Sequence, residues 1–188
     1  MMIPFQATLS QGALRFLKIL ALAGAAAVAG GLIWEPGRAW AAVLMAGYLL
    51  TGFGLAGIVF VAVQYASGAG WSTAFRRVPE AMSAILPIGA ALLAAVFLLH
   101  PSTYPWTSHA PHRGFQEIWL SRPFFLVRAA VYIAAWIAFA AAIVRTSRRQ
   151  DVDSGIGHTR RNVRLSIVFL VVFAVTFWLA SFDWVMSL

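Results

Sequence analysis

Four polar residues lie within or beside long apolar segments, where amide and ionisable side chains are costly and often functional. They are Gln64, Glu80, Arg128 and Asp183. Carboxylates inside a membrane commonly serve proton relays, and buried amides and guanidinium groups join helices through hydrogen bonds. We therefore predict that these four residues form either a proton path or a buried polar network.

Arg128 and Asp183 are predicted to lie at a similar depth, near one surface of the membrane. Asp183 follows Arg164 by 19 residues, about 28 Å of helix, and Arg128 lies about 9 Å from Arg122. Because an unpaired charge in lipid is costly, we expect the two side chains to interact directly or through water. In the alternative, Arg128 extends to the membrane surface and Asp183 is hydrated.

Gln64 is the amide most deeply embedded in an apolar segment. Two interpretations remain open for it. In the first, Gln64 belongs to a proton or water path. In the second, its amide only hydrogen-bonds a neighbouring helix, as polar residues in membrane helices often do.

The residue types that usually hold cofactors are scarce in this chain. It has no cysteine, which excludes disulfides and cysteine-ligated zinc or iron–sulfur clusters within it. None of its histidines falls in the middle of an apolar segment, so a bis-histidine haem held by this chain alone is not expected. A metal site at His109, His112 and Glu117 has no recognisable ligand spacing. We predict no catalytic residue, cofactor or metal in this chain. The histidines are His100, His109, His112 and His158.

Composition points to a membrane protein. Of the 188 residues, 61% are hydrophobic and only 11% are charged, against roughly half and a quarter in soluble domains. The formal net charge is +8. Basic residues beside membrane spans explain this charge better than nucleic-acid binding does. We expect membrane lipid and other membrane subunits as partners, and no nucleic acid.

Five segments are long and apolar enough to cross a membrane of about 30 Å. The predicted fold is all-α and integral to the membrane, with one helix in residues 1–38 that precedes a four-helix bundle in residues 39–188. A cleaved signal peptide is the alternative for the first segment. The predicted spans are Leu14–Trp34, Ala39–Gly68, Ala81–Leu99, Pro123–Val144 and Leu165–Phe182.

Packing features are visible in two of the spans. In the second, small residues recur at spacings of three or four, which predicts a face that a neighbouring helix can approach closely. These residues are Gly47, Thr51, Gly54 and Gly57. In the third, Pro87 and Gly89 predict a kink.

Basic residues predict the orientation. Ten fall on the side of the N-terminus and four on the other, so the positive-inside rule predicts a cytoplasmic N-terminus and a periplasmic Leu188. The longest loops are expected at 145–164 on the inner side and at 100–122 on the outer side. The outer loop carries Tyr104, Trp106 and Trp119, and Trp184 follows Asp183. All four are typical of an interfacial aromatic belt.

Four stretches, in this order, resemble one family. They are VQYASGAGWSTAFRRVPEAMSAILP from Val63, SRPFFLVRAAVYIAAW from Ser121, RRQD from Arg148 and SFDWVMSL from Ser181. From about residue 40 onward, the chain resembles the first half of the ActF-type membrane subunit of alternative complex III. That complex is a bacterial quinol–cytochrome c oxidoreductase, and its ActF-type subunit is related to NrfD-like subunits of polysulfide-reductase-type enzymes.

The resemblance implies a multi-pass subunit of the bacterial inner membrane without its own redox cofactor. It implies haem c and iron–sulfur clusters in partner subunits and quinone in a sister subunit. The implied role is scaffolding, with a contribution to proton translocation. The alternatives are a purely structural subunit of another membrane assembly and a channel or transporter half.

This sequence departs from the family in length. In the family, the stretch that matches SFDWVMSL is followed by a second bundle. The resemblance therefore predicts that this stretch is a midpoint. Three readings stay open: a split subunit, a piece of a longer protein, or a relative without the second half.

Overall fold

A computed structural model describes residues 10–107, 114–152 and 156–188. Within these ranges the regular elements are helical, and they make five segments that are long and apolar enough to cross a membrane; the third of these, Arg77–Leu99, consists of two helices and a short turn. The predicted all-α membrane fold is therefore confirmed. The helices are α1 (Gln11–Trp34), α2 (Pro36–Ala66), α3 (Arg77–Met82), α4 (Leu86–Leu99), α5 (Phe115–Trp119), α6 (Arg122–Val152) and α7 (Ile156–Ser181).

The chain divides into two compact units, Met1–Ala42 and Val43–Leu188. In the first unit, the Ser10 hydroxyl caps α1 by accepting a hydrogen bond from the Ala13 amide at 3.2 Å. Pro36 then starts α2, at a position where its missing N–H has no cost. The predicted boundary at residues 38 and 39 falls inside α2.

In the second unit, α2 packs closely on the α3–α4 segment through small residues. A Cβ atom on Gly57 would lie 2.5 Å from the Pro79 carbonyl oxygen. On the other side of this contact, a Cβ atom on Gly89 of α4 would lie 2.5 Å from the Thr51 amide nitrogen of α2. Since neither position has room for a methyl group, the predicted small-residue face of α2 is confirmed as a helix contact.

The third span is not one continuous α-helix at the place where a kink is predicted. One 3₁₀ turn, Ser83–Ile85, separates α3 from α4, and the Leu86 amide donates to the Ser83 carbonyl. Pro87 follows near the start of α4. Because proline has no N–H to donate, the α-helical hydrogen-bond ladder is interrupted at this point. Gly89, the other residue on which the kink was predicted, lies in the close contact with α2.

Helices α6 and α7 form an antiparallel hairpin. Its alignment is given by ring contacts of Trp136 with Phe173 and of Phe139 with Phe169. Near its connection, the Gln150 amide donates to the Thr159 hydroxyl at 2.6 Å.

The prediction of an inner loop at 145–164 is wrong for most of these residues, because they are helical. Helix α6 continues to Val152, and α7 begins at Ile156. Arginine and glutamine are good helix formers, so a helix does not have to end where its apolar segment ends.

Candidate functional site

Arg128 and Asp183 form a two-point ion pair. Arg128 Nε lies 2.8 Å from Asp183 Oδ2, and Arg128 Nη2 lies 2.9 Å from Asp183 Oδ1. The side chains are 8% and 1% exposed. The predicted contact is thus confirmed, and the alternative of a surface-seeking Arg128 beside a hydrated Asp183 is wrong. The pair joins α6 to the π-helical turn Phe182–Met186 that follows α7.

Aromatic groups complete the surroundings of this pair. The Trp119 indole donates to Asp183 Oδ1 at 3.0 Å, and Arg128 Nη1 donates to the Trp119 carbonyl at 3.0 Å. The guanidinium carbon also lies 4.1 Å and 4.5 Å from the ring centres of Trp119 and Phe124. Tyr132 approaches Asp183 Oδ2 at 3.5 Å. We call Trp119, Arg128, Tyr132 and Asp183 the Asp183 cluster.

Two tyrosines bind the backbone next to this cluster. The hydroxyls of Tyr48 and Tyr104 lie 3.0 Å apart, and both donate to the carbonyl oxygen of Trp184. Tyr104 is only 1% exposed, and this burial raises the pKa of its phenol. A neutral, hydrogen-bonded Tyr104 therefore helps to hold the turn that carries Asp183.

The expectation that Tyr104 and Trp184 lie in an interfacial belt is wrong, since both are buried. Their rings contact Phe97 instead. Trp119, which was expected in the same belt, donates a hydrogen bond to Asp183. Aromatic residues near a membrane surface suit either setting, and the spacing of the sequence does not distinguish them.

Glu80 is the centre of a second buried cluster. It is 3% exposed, and its carboxylate accepts a hydrogen bond from Ser147 Oγ at 2.5 Å. Arg77 pairs with both Glu80 and Asp151, and Arg76 Nε lies 3.4 Å from Glu80 Oε1. We call Arg76, Arg77, Glu80, Ser147 and Asp151 the Glu80 cluster. Arg77 and Glu80 stand three residues apart on one helix, which is a sequence signal for this ion pair.

Gln64 lies beside the Glu80 cluster without joining it. It lines a cavity of about 260 Å³ together with Tyr65, Arg76 and Gln150. Arg76 Nη1 donates to the Tyr65 hydroxyl at 2.8 Å. The Gln64 side chain itself makes no hydrogen bond within the described part of the chain, so the expected bond to a neighbouring helix is not found there.

The four sequence-predicted residues therefore fall into two groups. Arg128 and Asp183 form the first group, in the Asp183 cluster. Glu80 and the neighbouring Gln64 form the second. Ser147, which binds Glu80, lies 19 residues from Arg128 on α6, a rise of about 28 Å. Between these levels the buried side chains are mainly apolar, including Trp136, Phe169 and Leu93.

Two polar residues that the sequence analysis missed face the core on α7. Asn162 and Ser166 are fully buried, and their side-chain oxygen and nitrogen atoms have no partner in the described structure. Buried polar groups are rarely left unpaired, because this costs about 1–3 kcal/mol each. Their spacing of four residues places both on one helix face, but serine and asparagine give no signal of burial in sequence.

The buried charges of the two clusters pair with oppositely charged side chains in the same cluster. No group of three potential metal ligands occurs in the ranges that the structure describes. His109 and His112, considered above for a metal site, lie outside those ranges. Comparison with models of known protein families gives no match, and comparison with curated proteins gives none.

Proposed function

We propose that this chain is a non-catalytic integral membrane subunit of a respiratory, quinol-oxidising electron-transfer complex, and that its role is scaffolding. The proposal rests on the four stretches that resemble the ActF-type subunit. It also places the chain in the bacterial inner membrane, with a cytoplasmic N-terminus and a periplasmic Leu188. Redox centres and quinone would then belong to partner subunits.

The observation that carries the scaffolding role is the division of buried charge into two clusters. In each cluster the charges are paired locally: Arg128 pairs with Asp183, and Glu80 pairs with Arg76 and Arg77. The two clusters are about 28 Å apart along α6, and the side chains buried between them are mainly apolar. Paired charges at the two ends of a bundle favour fixed helix positions over transfer of a proton from one cluster to the other.

A contribution to proton movement is the second candidate, limited to one half of the membrane. It is favoured by the cavity beside Gln64 and by the unpartnered Asn162 and Ser166. The Gln150–Thr159 contact places Asn162 at about the same height as Ser147 of the Glu80 cluster. Water in this region would give Glu80 a hydrated route to the near surface.

Asp183→Asn and Glu80→Gln separate the two candidates in the intact complex. The measurements are the yield of assembled complex and, per assembled complex, quinol turnover and proton release. Scaffolding predicts a lower yield for both variants with unchanged turnover and proton release. Loss of proton release at full yield in Glu80→Gln would instead establish the proton route. The same loss in Asp183→Asn would overturn the scaffolding role of the Asp183 cluster.

A further inference from the structure

A groove opens between the α3–α4 segment and α6, next to the Glu80 cluster. It has a volume of about 160 Å³, and its walls include Leu86, Pro87, Ile137 and Val144. Arg148 stands at one end of it. Because Ile137 lies 11 residues before Arg148 on α6, the groove follows the helix for about 16 Å below the guanidinium group.

Arg148 is exposed and lacks a carboxylate partner among the described residues, unlike Arg76 and Arg77. Glu80 also lines the groove, but its charge is already matched by those two arginines. Among the described residues, the mouth of the groove therefore offers a guanidinium group without a carboxylate partner, and apolar walls lie below it.

Five more arginines lie at the height of Arg148. Counting from the Gln150–Thr159 contact, Arg149 is level with Arg160 and Arg145 is level with Arg164. On each helix the three arginines lie within four residue steps of one another, which corresponds to about 6 Å along the helix axis. All six are exposed, and none has an ion pair within the described residues. The six are Arg145, Arg148, Arg149, Arg160, Arg161 and Arg164.

We propose that this groove is a binding site for one anionic phospholipid. The phosphate binds Arg148, and an acyl chain lies along Val144 and Ile137. The thin layer of guanidinium groups matches the plane of lipid phosphates, and basic pockets between membrane helices bind such headgroups. Apolar walls beneath a single cation fit a lipid better than a free phosphate or an acidic protein segment.

The binding test uses purified, delipidated protein in detergent, titrated with phosphatidylglycerol, phosphatidylcholine or inorganic phosphate, with bound lipid counted by native mass spectrometry. We expect one phosphatidylglycerol to bind at least tenfold more tightly than phosphatidylcholine, and inorganic phosphate not to compete. Arg148→Gln should weaken phosphatidylglycerol binding about tenfold, the loss of one charge-assisted hydrogen bond. Arg161→Gln, the same change at an arginine outside the groove, should weaken it less than twofold.

A second pair of variants tests the apolar part. Ala141 lines the groove, whereas Ala138 is an exposed alanine on α6 that does not. Ala141→Phe should reduce phosphatidylglycerol binding at least fivefold, and Ala138→Phe should leave it unchanged. Melting temperatures without lipid show whether each variant is folded.

Three results would overturn the proposal. Equal losses in Arg148→Gln and Arg161→Gln would mean general attraction to a basic surface. Competition by inorganic phosphate would mean a simple anion site. Loss of a co-purifying membrane subunit in Ala141→Phe, with lipid binding intact, would mean that the groove receives a partner's helix.

Discussion

Arg128 on α6 and Asp183 beyond the end of α7 meet through two hydrogen bonds of 2.8 and 2.9 Å in a site closed to solvent. The indole of Trp119 and the hydroxyl of Tyr132 bind the same carboxylate. The pair thus fixes α6 against the turn that follows α7. Breaking a buried ion pair by removing one partner costs about 3–5 kcal/mol, because the other charge is left unmatched.

We expect Asp183→Ala and Arg128→Ala each to lower the free energy of unfolding by about 3–5 kcal/mol. The double variant should cost less than the sum of the two, since neither charge then remains buried alone. Unfolding in mixed detergent micelles measures the three values. Strictly additive losses would show that the two side chains do not depend on each other.

Glu80→Gln should also destabilise the protein, because Arg76 would lose its buried carboxylate partner. The matched control is Glu35→Gln, the same change in the exposed Glu35–Arg38 pair. Surface pairs contribute little, so the control should change stability by no more than about 0.5 kcal/mol. Equal effects at the two positions would contradict the importance of the Glu80 cluster.

Replacement by alanine should affect the stability of the protein differently at two buried serines. Ser147 donates to Glu80, whereas the Ser166 hydroxyl has no partner among the described residues, and both serines are fully buried. Ser147→Ala should lower stability by about 1–3 kcal/mol, and Ser166→Ala should leave it unchanged or raise it. The same unfolding assay applies. A similar loss in both variants would indicate that Ser166 has a bound partner, with water as the simplest one.

The close contact of α2 with the α3–α4 segment predicts a sharp difference between two glycines. Gly57→Ala places a methyl group against the Pro79 carbonyl and should cost about 1–3 kcal/mol. Gly52→Ala meets nothing within 4 Å and should raise stability by about 0.5–1 kcal/mol, because alanine favours the helix. Melting temperatures of the two variants check this. Tolerance of Gly57→Ala would mean that the helices are farther apart.

Features that depend on length and periodicity were predictable from the sequence. Apolar segment lengths predicted the helices, and helical rise placed Arg128 and Asp183 at one depth. The spacing of Gly54 and Gly57 predicted a close helix contact. In each case the physical constraint acts along a single helix, which a sequence displays directly.

Features that depend on which helices are neighbours were not predictable. Ser147 becomes a partner of Glu80 only because α6 packs beside α3. Trp119 was expected at the membrane surface, and its bond to Asp183 depends on the path of the outer connection. Asn162 and Ser166 carry no sequence signal of burial. The extension of α6 to Val152 was missed because charge marks the edge of a membrane span and not the end of a helix.

The proposed role of this chain is that of a scaffold subunit in a quinol-oxidising respiratory complex. Its most direct test is mass-spectrometric identification of the proteins that co-purify with the tagged chain from its native membrane in mild detergent. We expect a multihaem cytochrome c subunit, a large iron–sulfur protein and a related membrane subunit in stable association with it. Co-purification with a different membrane assembly, without any haem or iron–sulfur subunit, would contradict it.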